Sequence, residues 1–435
     1  MSDSSVPGRP DAWRFRARAA AGTFAAAGLD EAESRTLETA WSRCRPVLDS
    51  GVLDSPVLDS GHAEDGLVKH PGHDWEGFHE RLVYTATGAA IASGRGEAVM
   101  LHGAALALPE SGATIALVAA SGVGKTTATR VLGRHFGYLT DETVVVREDG
   151  GIVPFPKPLS LLPPSGRRPK RQAGPDELGL LPAPEAPVLR RVAVLDRRES
   201  APQSPTATRM PLSEALEYLA PQTSSLSHLP RGLCRLAELL DACGGALRLT
   251  YAESETLVPL VRRLLSAAGP DAGTGRAAHL QPGDAQHEGS QHEGSQDGHE
   301  GSQEEGRPGG PAREWAPLPL GPDVPAAGHS GVAPAAGGDS GGGAADGLRR
   351  YRRQRADDAI AIDDALGHSL SVLIDEKLVV LRGLGPLLWE LTAEPRTPEE
   401  LLAGVVAAVG EHPDGARLLD EQLETLVEHG VLVRS

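Results

Sequence analysis

The sequence predicts two folded units joined by a long polar linker: an α/β domain on a mainly parallel sheet core, and a small α+β C-terminal domain. Three observations carry this. An apolar run of strand length, Ala113 to Ala120, leads into Ser121-Gly122-Val123-Gly124-Lys125-Thr126-Thr127 and then a stretch with helical spacing. Strand-like runs alternate with amphipathic helical stretches up to about residue 268, the order an α/β sheet requires. Residues 269–347 are then poor in apolar side chains, and order resumes near Arg352.

Residues 1–74 are weakly defined. Ala-rich text there is compatible with a strand or short helix, and three copies of Val-Leu-Asp-Ser between Val47 and Gly61 are too short to hold a core. Residues 75–268 read as the α/β domain. Glu80–Leu108 reads as strand, short helix, strand; Tyr138–Glu148 and Leu189–Arg198 add two strands. Leu212–Ala220, Leu233–Cys243 and Glu255–Ala268 have helical periodicity. The repeats of 269–347, with His287, His292 and His299, read as a solvated flexible linker. Residues 348–435 give two or three short strands from Ala359, with turns at Leu366–Gly367 and Asp375–Glu376. Three helices and a last strand follow; Thr397 caps the second helix, ahead of Pro398, Glu399 and Glu400.

The 435 residues carry a formal net charge of −17, which argues against a general nucleic-acid binder. No apolar run reaches membrane-spanning length, and no signal peptide is read at the N-terminus. Cys44, Cys234 and Cys243 lie far apart without metal spacing, as expected of a reduced, cytosolic protein.

The chemistry begins at the loop. The pattern G-x-x-x-x-G-K-[ST] is met from Ala119, Ala120 and Ser121 to Thr126, with Ala119 in place of the first Gly. Gly122 and Gly124 let backbone N–H groups turn onto phosphates, Lys125 reaches the β- and γ-phosphates, and the Thr126 hydroxyl ligates Mg²⁺. ATP and Mg²⁺ are therefore the expected cofactors. Phosphoryl transfer also needs carboxylates; Asp141 and Glu142 compete with Asp196, which ends an apolar strand. Lys157, Arg167, Arg168, Lys170 and Arg171 read as a basic loop able to grip phosphates or an acidic acceptor.

The order His102-Gly103, then the loop, then Tyr138-Leu-Thr-Asp141-Glu142 resembles the catalytic domain of HPr kinase/phosphorylase. The resemblance implies that Asp141 is the catalytic acid/base, that Glu142 is a second acid with Mg²⁺ within reach, and that His102 lies near the transferred phosphate. Glu142 stands where that family has Asp. The C-terminal text Gly383–Leu402 with Leu418–Ser435 resembles the PqqD-like precursor-recognition domain, a small winged-helix-like fold. That resemblance implies that Trp389 is a core anchor and that the leader of a ribosomally made precursor peptide adds as a strand to the domain's sheet.

Together these readings give an ATP-dependent kinase acting on a hydroxyl of such a peptide, with other maturation enzymes as further partners and no membrane or nucleic-acid partner. Two alternatives stay open at this level: a nucleotide-dependent carrier that presents the peptide without phosphotransfer, and a small-molecule kinase.

Overall fold

A computed structural model of the protein describes residues 15–44, 65–120, 122–163, 166–267, 313–318 and 349–434. The Val-Leu-Asp-Ser repeat, His287, His292, His299 and Ser121 lie outside them. Among the described residues no helix is long and apolar enough to cross a membrane.

Alternation in Phe15-Arg-Ala-Arg-Ala turns Phe15, Ala17 and Ala19 inward, so β1 (Phe15–Ala19) forms a hairpin with β2 (Gly22–Ala27). Helix α1 (Glu31–Ala40) opens on a reciprocal capping box between Asp30 and Glu33, and β3 (Asp65–Val68) joins β2 in parallel. Helix α2 (Trp75–Gly94) covers this small sheet: Phe78, Leu82 and Ala86 pack with Phe15, Phe24 and Trp41. The strand expected at the start of Glu80–Leu108 is therefore helical. Val83, Thr85 and Thr87 suggest a strand, but the buried positions 78, 82, 86, 89 and 90 follow helical spacing.

The main sheet is built from β4 (Val99–Ala107), β5 (Ala113–Val118), β6 (Gly137–Thr140), β7 (Thr143–Val146), β8 (Ile152–Val153), β11 (Val188–Arg197), β12 (Thr206–Arg209), β13 (Thr223–Ser224) and β14 (Ala246–Tyr251). The pair β9 (Leu159–Leu161) and β10 (Arg171–Ala173) forms a separate hairpin. The order is β12-β14-β11-β5-β4-β7-β8, with β6 and β13 also on β4. Only β5–β11 and β11–β14 pair in parallel; the remaining pairs are antiparallel. The sheet is thus mixed rather than mainly parallel. The links between β4 and β5 and among β6, β7 and β8 are turns too short for a crossover, which needs a dozen residues or more. Helices α3 (Lys125–Leu132) and α6 (Leu257–Ser266) cover one face, and α4 (Leu212–Leu219) and α5 (Gly232–Ala242) the other.

Beyond the linker, β15 (Trp315–Pro317), β17 (Asp358–Asp364), β18 (Gly367–Ile374) and β19 (Lys377–Leu381) form an antiparallel sheet in the order β15-β17-β18-β19, while β16 (Tyr351–Arg353) pairs with β20 (Leu432–Arg434). Helices α7 (Gly385–Leu391), α8 (Pro398–Val409) and α9 (Gly415–Glu428) cover one face, where Leu388, Trp389, Leu401 and Leu423 meet Ala359, Leu370 and Val372. The opposite face is not solvated. Ile360, Ile362 and Leu373 belong to the same apolar cluster as α4 and α5, so this domain is docked on the α/β domain. Trp315 belongs to that cluster too, and its indole Nε1 donates to Asp241 Oδ2 at 2.7 Å. A segment expected to be linker is therefore an edge strand, because it takes its periodicity from β17 rather than from its own sequence.

Candidate functional site

Register explains why three distant motifs converge. Strand β4 is flanked by β5, which runs into the phosphate loop, and by β6 and β7, which are interrupted at Asp141–Glu142. Gly103 pairs with Val118 just before the loop, and His102 with Thr143 just after the acids. Glycine is required at 103 because a Cβ there would lie 2.7 Å from the Leu117 carbonyl oxygen. Its N–H donates to the Glu142 carbonyl at 3.1 Å, which fixes the acidic turn beside the loop.

The loop has the conformation its glycines permit, with φ of 88° at Gly122 and 99° at Gly124. Gly124 opens α3, which has no side-chain cap, so its first N–H groups face the loop. The Lys125 ammonium is buried and has no hydrogen-bond partner. Burial pushes its pKa down, and Lys157 and Lys170 push the same way against Glu142 and Asp141. A buried cation left unpaired is costly, and an anion at this point would relieve the cost.

The acids are supported from below by Lys157. Its side chain is fully buried, with Nζ 2.8 Å from Asp141 Oδ1 and 3.6 Å from Glu142 Oε2. Burial pushes the ammonium down, but the two carboxylates more than offset it and the pKa ends above normal. Tyr138 OH adds a bond to Asp141 Oδ1 at 3.0 Å. Glu142 reaches further toward solvent, and its Oε1 is 3.7 Å from His102 Nδ1. Burial raises the Glu142 carboxyl, yet Lys157, His102 and Lys125 outweigh that and hold it below its usual value. Burial and then Lys125 lower the His102 pKa, against the opposing pull of Glu142 and Asp141.

The basic loop separates into different roles. Lys157, expected with the phosphate- and acceptor-gripping cations, is instead the counter-ion of the acids. Arg168 donates to Tyr84 OH at 3.0 Å and lies 3.6 Å from Glu80, while Arg171 pairs with Glu177 at 2.6 Å. The charge of Lys170 acts on Lys125. Asp196 is also engaged: Arg198 lies 2.9 Å away and Thr250 Oγ1 donates at 3.1 Å. Burial raises its carboxyl, and those bonds more than reverse the effect.

Hard oxygen donors suit Mg²⁺, which usually keeps waters and takes only one or two protein carboxylates alongside phosphate oxygens. Thr126 and Glu142 fit that pattern, and Asp196 offers a carboxylate that Arg198 and Thr250 already hold. Among the described residues no group of three His, Cys, Asp or Glu forms a metal cage.

Sequence reasoning missed three residues here. Tyr138 holds Asp141, Tyr218 OH accepts from the Ala120 N–H at 3.0 Å, and the Arg197 side chain borders Gly124.

No family model matches the chain, and no curated protein matches it. Among solved structures it is similar to the Hpr(Ser) kinase/phosphatase from Coxiella burnetii, over 39% of this chain and 94% of that one, at 10% identity and a TM-score of 0.21. A likeness that loose decides nothing about fold or activity.

Proposed function

We propose that the chain binds ATP with Mg²⁺ and transfers the γ-phosphate to a hydroxyl of a ribosomally made peptide. The observation that carries the reading is the buried, unpartnered Lys125 ammonium at a glycine-shaped loop, facing the paired acids 141 and 142. Lys125 and the first N–H groups of α3 hold the β- and γ-phosphates, and Lys170 adds charge at the rim. Thr126 and Glu142 would hold Mg²⁺, which when bound would neutralise charge on the phosphates. Asp141, kept in place by Lys157 and Tyr138, orients the acceptor hydroxyl and takes its proton as the acceptor oxygen bonds the γ-phosphorus and the bond to the β–γ bridging oxygen breaks, releasing ADP. His102 lies near the transferred phosphate.

The peptide part of the proposal is supported by the outer edge of β19, which has no strand partner among the described residues, whereas β15 covers the opposite edge of that sheet. An open edge accepts an extended peptide through backbone hydrogen bonds. Holding the leader there raises the local acceptor concentration at the site. The test is competition. With Mg·ATP and a candidate precursor peptide that carries a leader and a Ser or Thr acceptor, an excess of leader fragment lacking an acceptor hydroxyl suppresses peptide phosphorylation. Phosphorylation unaffected by the leader removes the docking role, and phosphorylation of a small molecule with none on the peptide removes the substrate class.

A further inference from the structure

Helices α4 and α5 have no side-chain N-cap of their own. β17 supplies both, from 151 and 124 residues further along the chain. Asp364 Oδ2 accepts from the Ser213 N–H at 2.8 Å in the first turn of α4, and Asp358 Oδ2 accepts from the Cys234 N–H at 3.0 Å in the first turn of α5. Positions 358, 360, 362 and 364 share one face of the strand, so the apolar pair Ile360 and Ile362 is flanked by two carboxylates at the spacing of two helix N-termini.

The two helices differ in what they touch next. Helix α5 packs on β4 and β11. Helix α4 carries Tyr218, whose hydroxyl accepts from the Ala120 N–H at the entrance of the phosphate loop. Its neighbour Glu217 pairs with Arg382, just past β19, at 2.6 Å. One short helix is thus capped by the C-terminal domain at its start, tied to it again near its end, and bonded to the loop between.

We infer that Tyr218 is a positioning residue for the phosphate loop, and that the C-terminal domain sets its place by capping α4 through Asp364. The loop departs from the usual pattern at Ala119, and the bond to Tyr218 restrains the backbone at the next residue. Strand addition at β19 and nucleotide binding are then linked through α4, and each occupant favours the other. The inference rests on the loop being a nucleotide site, but it is read by binding alone and needs no phosphotransfer.

The experiment is calorimetric titration of the full chain with Mg·ADP. Tyr218→Phe weakens binding by about fivefold, the equivalent of one neutral hydrogen bond. Asp364→Ala weakens it by about two- to fivefold, and Asp364→Asn, which keeps a capping acceptor, restores it. Asp358→Ala, which uncaps α5, lowers the melting temperature but leaves the affinity within about twofold. Wild-type affinity in both Tyr218→Phe and Asp364→Ala overturns the inference, as does an equal loss in Asp358→Ala, which would make the effect one of general stability. A wild-type chain that binds no Mg·ADP overturns the proposed function itself.

Discussion

Replacing Lys157 with Met removes the cation that holds the acidic pair. Methionine approximates the stem of lysine, so the change is mainly electrostatic. Lys157 is fully buried, lies 2.8 Å from Asp141 and 3.6 Å from Glu142, and donates to the Pro158 carbonyl at 3.1 Å. Asp141 is itself buried, and it also accepts from Tyr138 OH at 3.0 Å. Removing one member of a buried pair leaves the other charge uncompensated, which costs about 3–5 kcal/mol. Urea denaturation at pH 7 should therefore show Lys157→Met destabilised by that amount, a large share of the stability of an ordinary domain. Because the pair is shielded from solvent, 0.5 M salt should leave the difference nearly unchanged. The double variant Asp141→Asn/Lys157→Met removes both charges and should recover much of the loss. A single variant within about 1 kcal/mol of wild type, or a double variant less stable than the single, would refute the reasoning.

Three further outcomes follow from the same geometry. Lys125→Met should abolish nucleotide binding while raising the denaturation midpoint of the ligand-free chain, because a buried unpaired ammonium is removed; a less stable variant contradicts it. His79 is buried, accepts from Trp41 Nε1 at 2.9 Å, and is pushed by burial down to about 4. Its folded pKa lies below the unfolded value, so its contribution is present above pH 6.5 and is lost as pH falls toward 4, at most roughly 3 kcal/mol. His79→Gln should flatten the stability profile across that window, and an unchanged slope sinks the assignment. Trp315→Ala empties an almost fully buried site and breaks the bond to Asp241, so melting should report a loss of about 3–5 kcal/mol; an unchanged melt would mean β15 is not docked.

Local signals in the sequence were strong where a residue's role is decided by its neighbours. The loop glycines, the helix after Lys125 and the Thr397 cap with Pro398 are all set by nearby backbone chemistry, and the structure forms a capping box between Thr397 and Glu400. The strand meander from Ala359 was readable because β17, β18 and β19 are joined by tight turns, with positive φ at Asp375 and Glu376. What escaped depends on tertiary partners. The sheet looked mainly parallel because alternation of strand and helix does not reveal which strands pair across short turns. Lys157 looked like a surface cation because nothing in Pro-Lys-Pro indicates burial. Asp358 and Asp364 carry no local sign of a capping role, since the helix N–H groups they accept from lie 124 and 151 residues away.

The most direct test of the central claim is transfer of label from γ-labelled ATP, with Mg²⁺, to the precursor peptide, followed by mass spectrometry of the product. The account predicts one phosphate on a peptide hydroxyl with the wild-type chain, and loss of transfer but retention of nucleotide binding in Asp141→Asn. Contradiction would be a peptide left unlabelled by a chain that binds Mg·ATP, or equal labelling by wild type and Asp141→Asn.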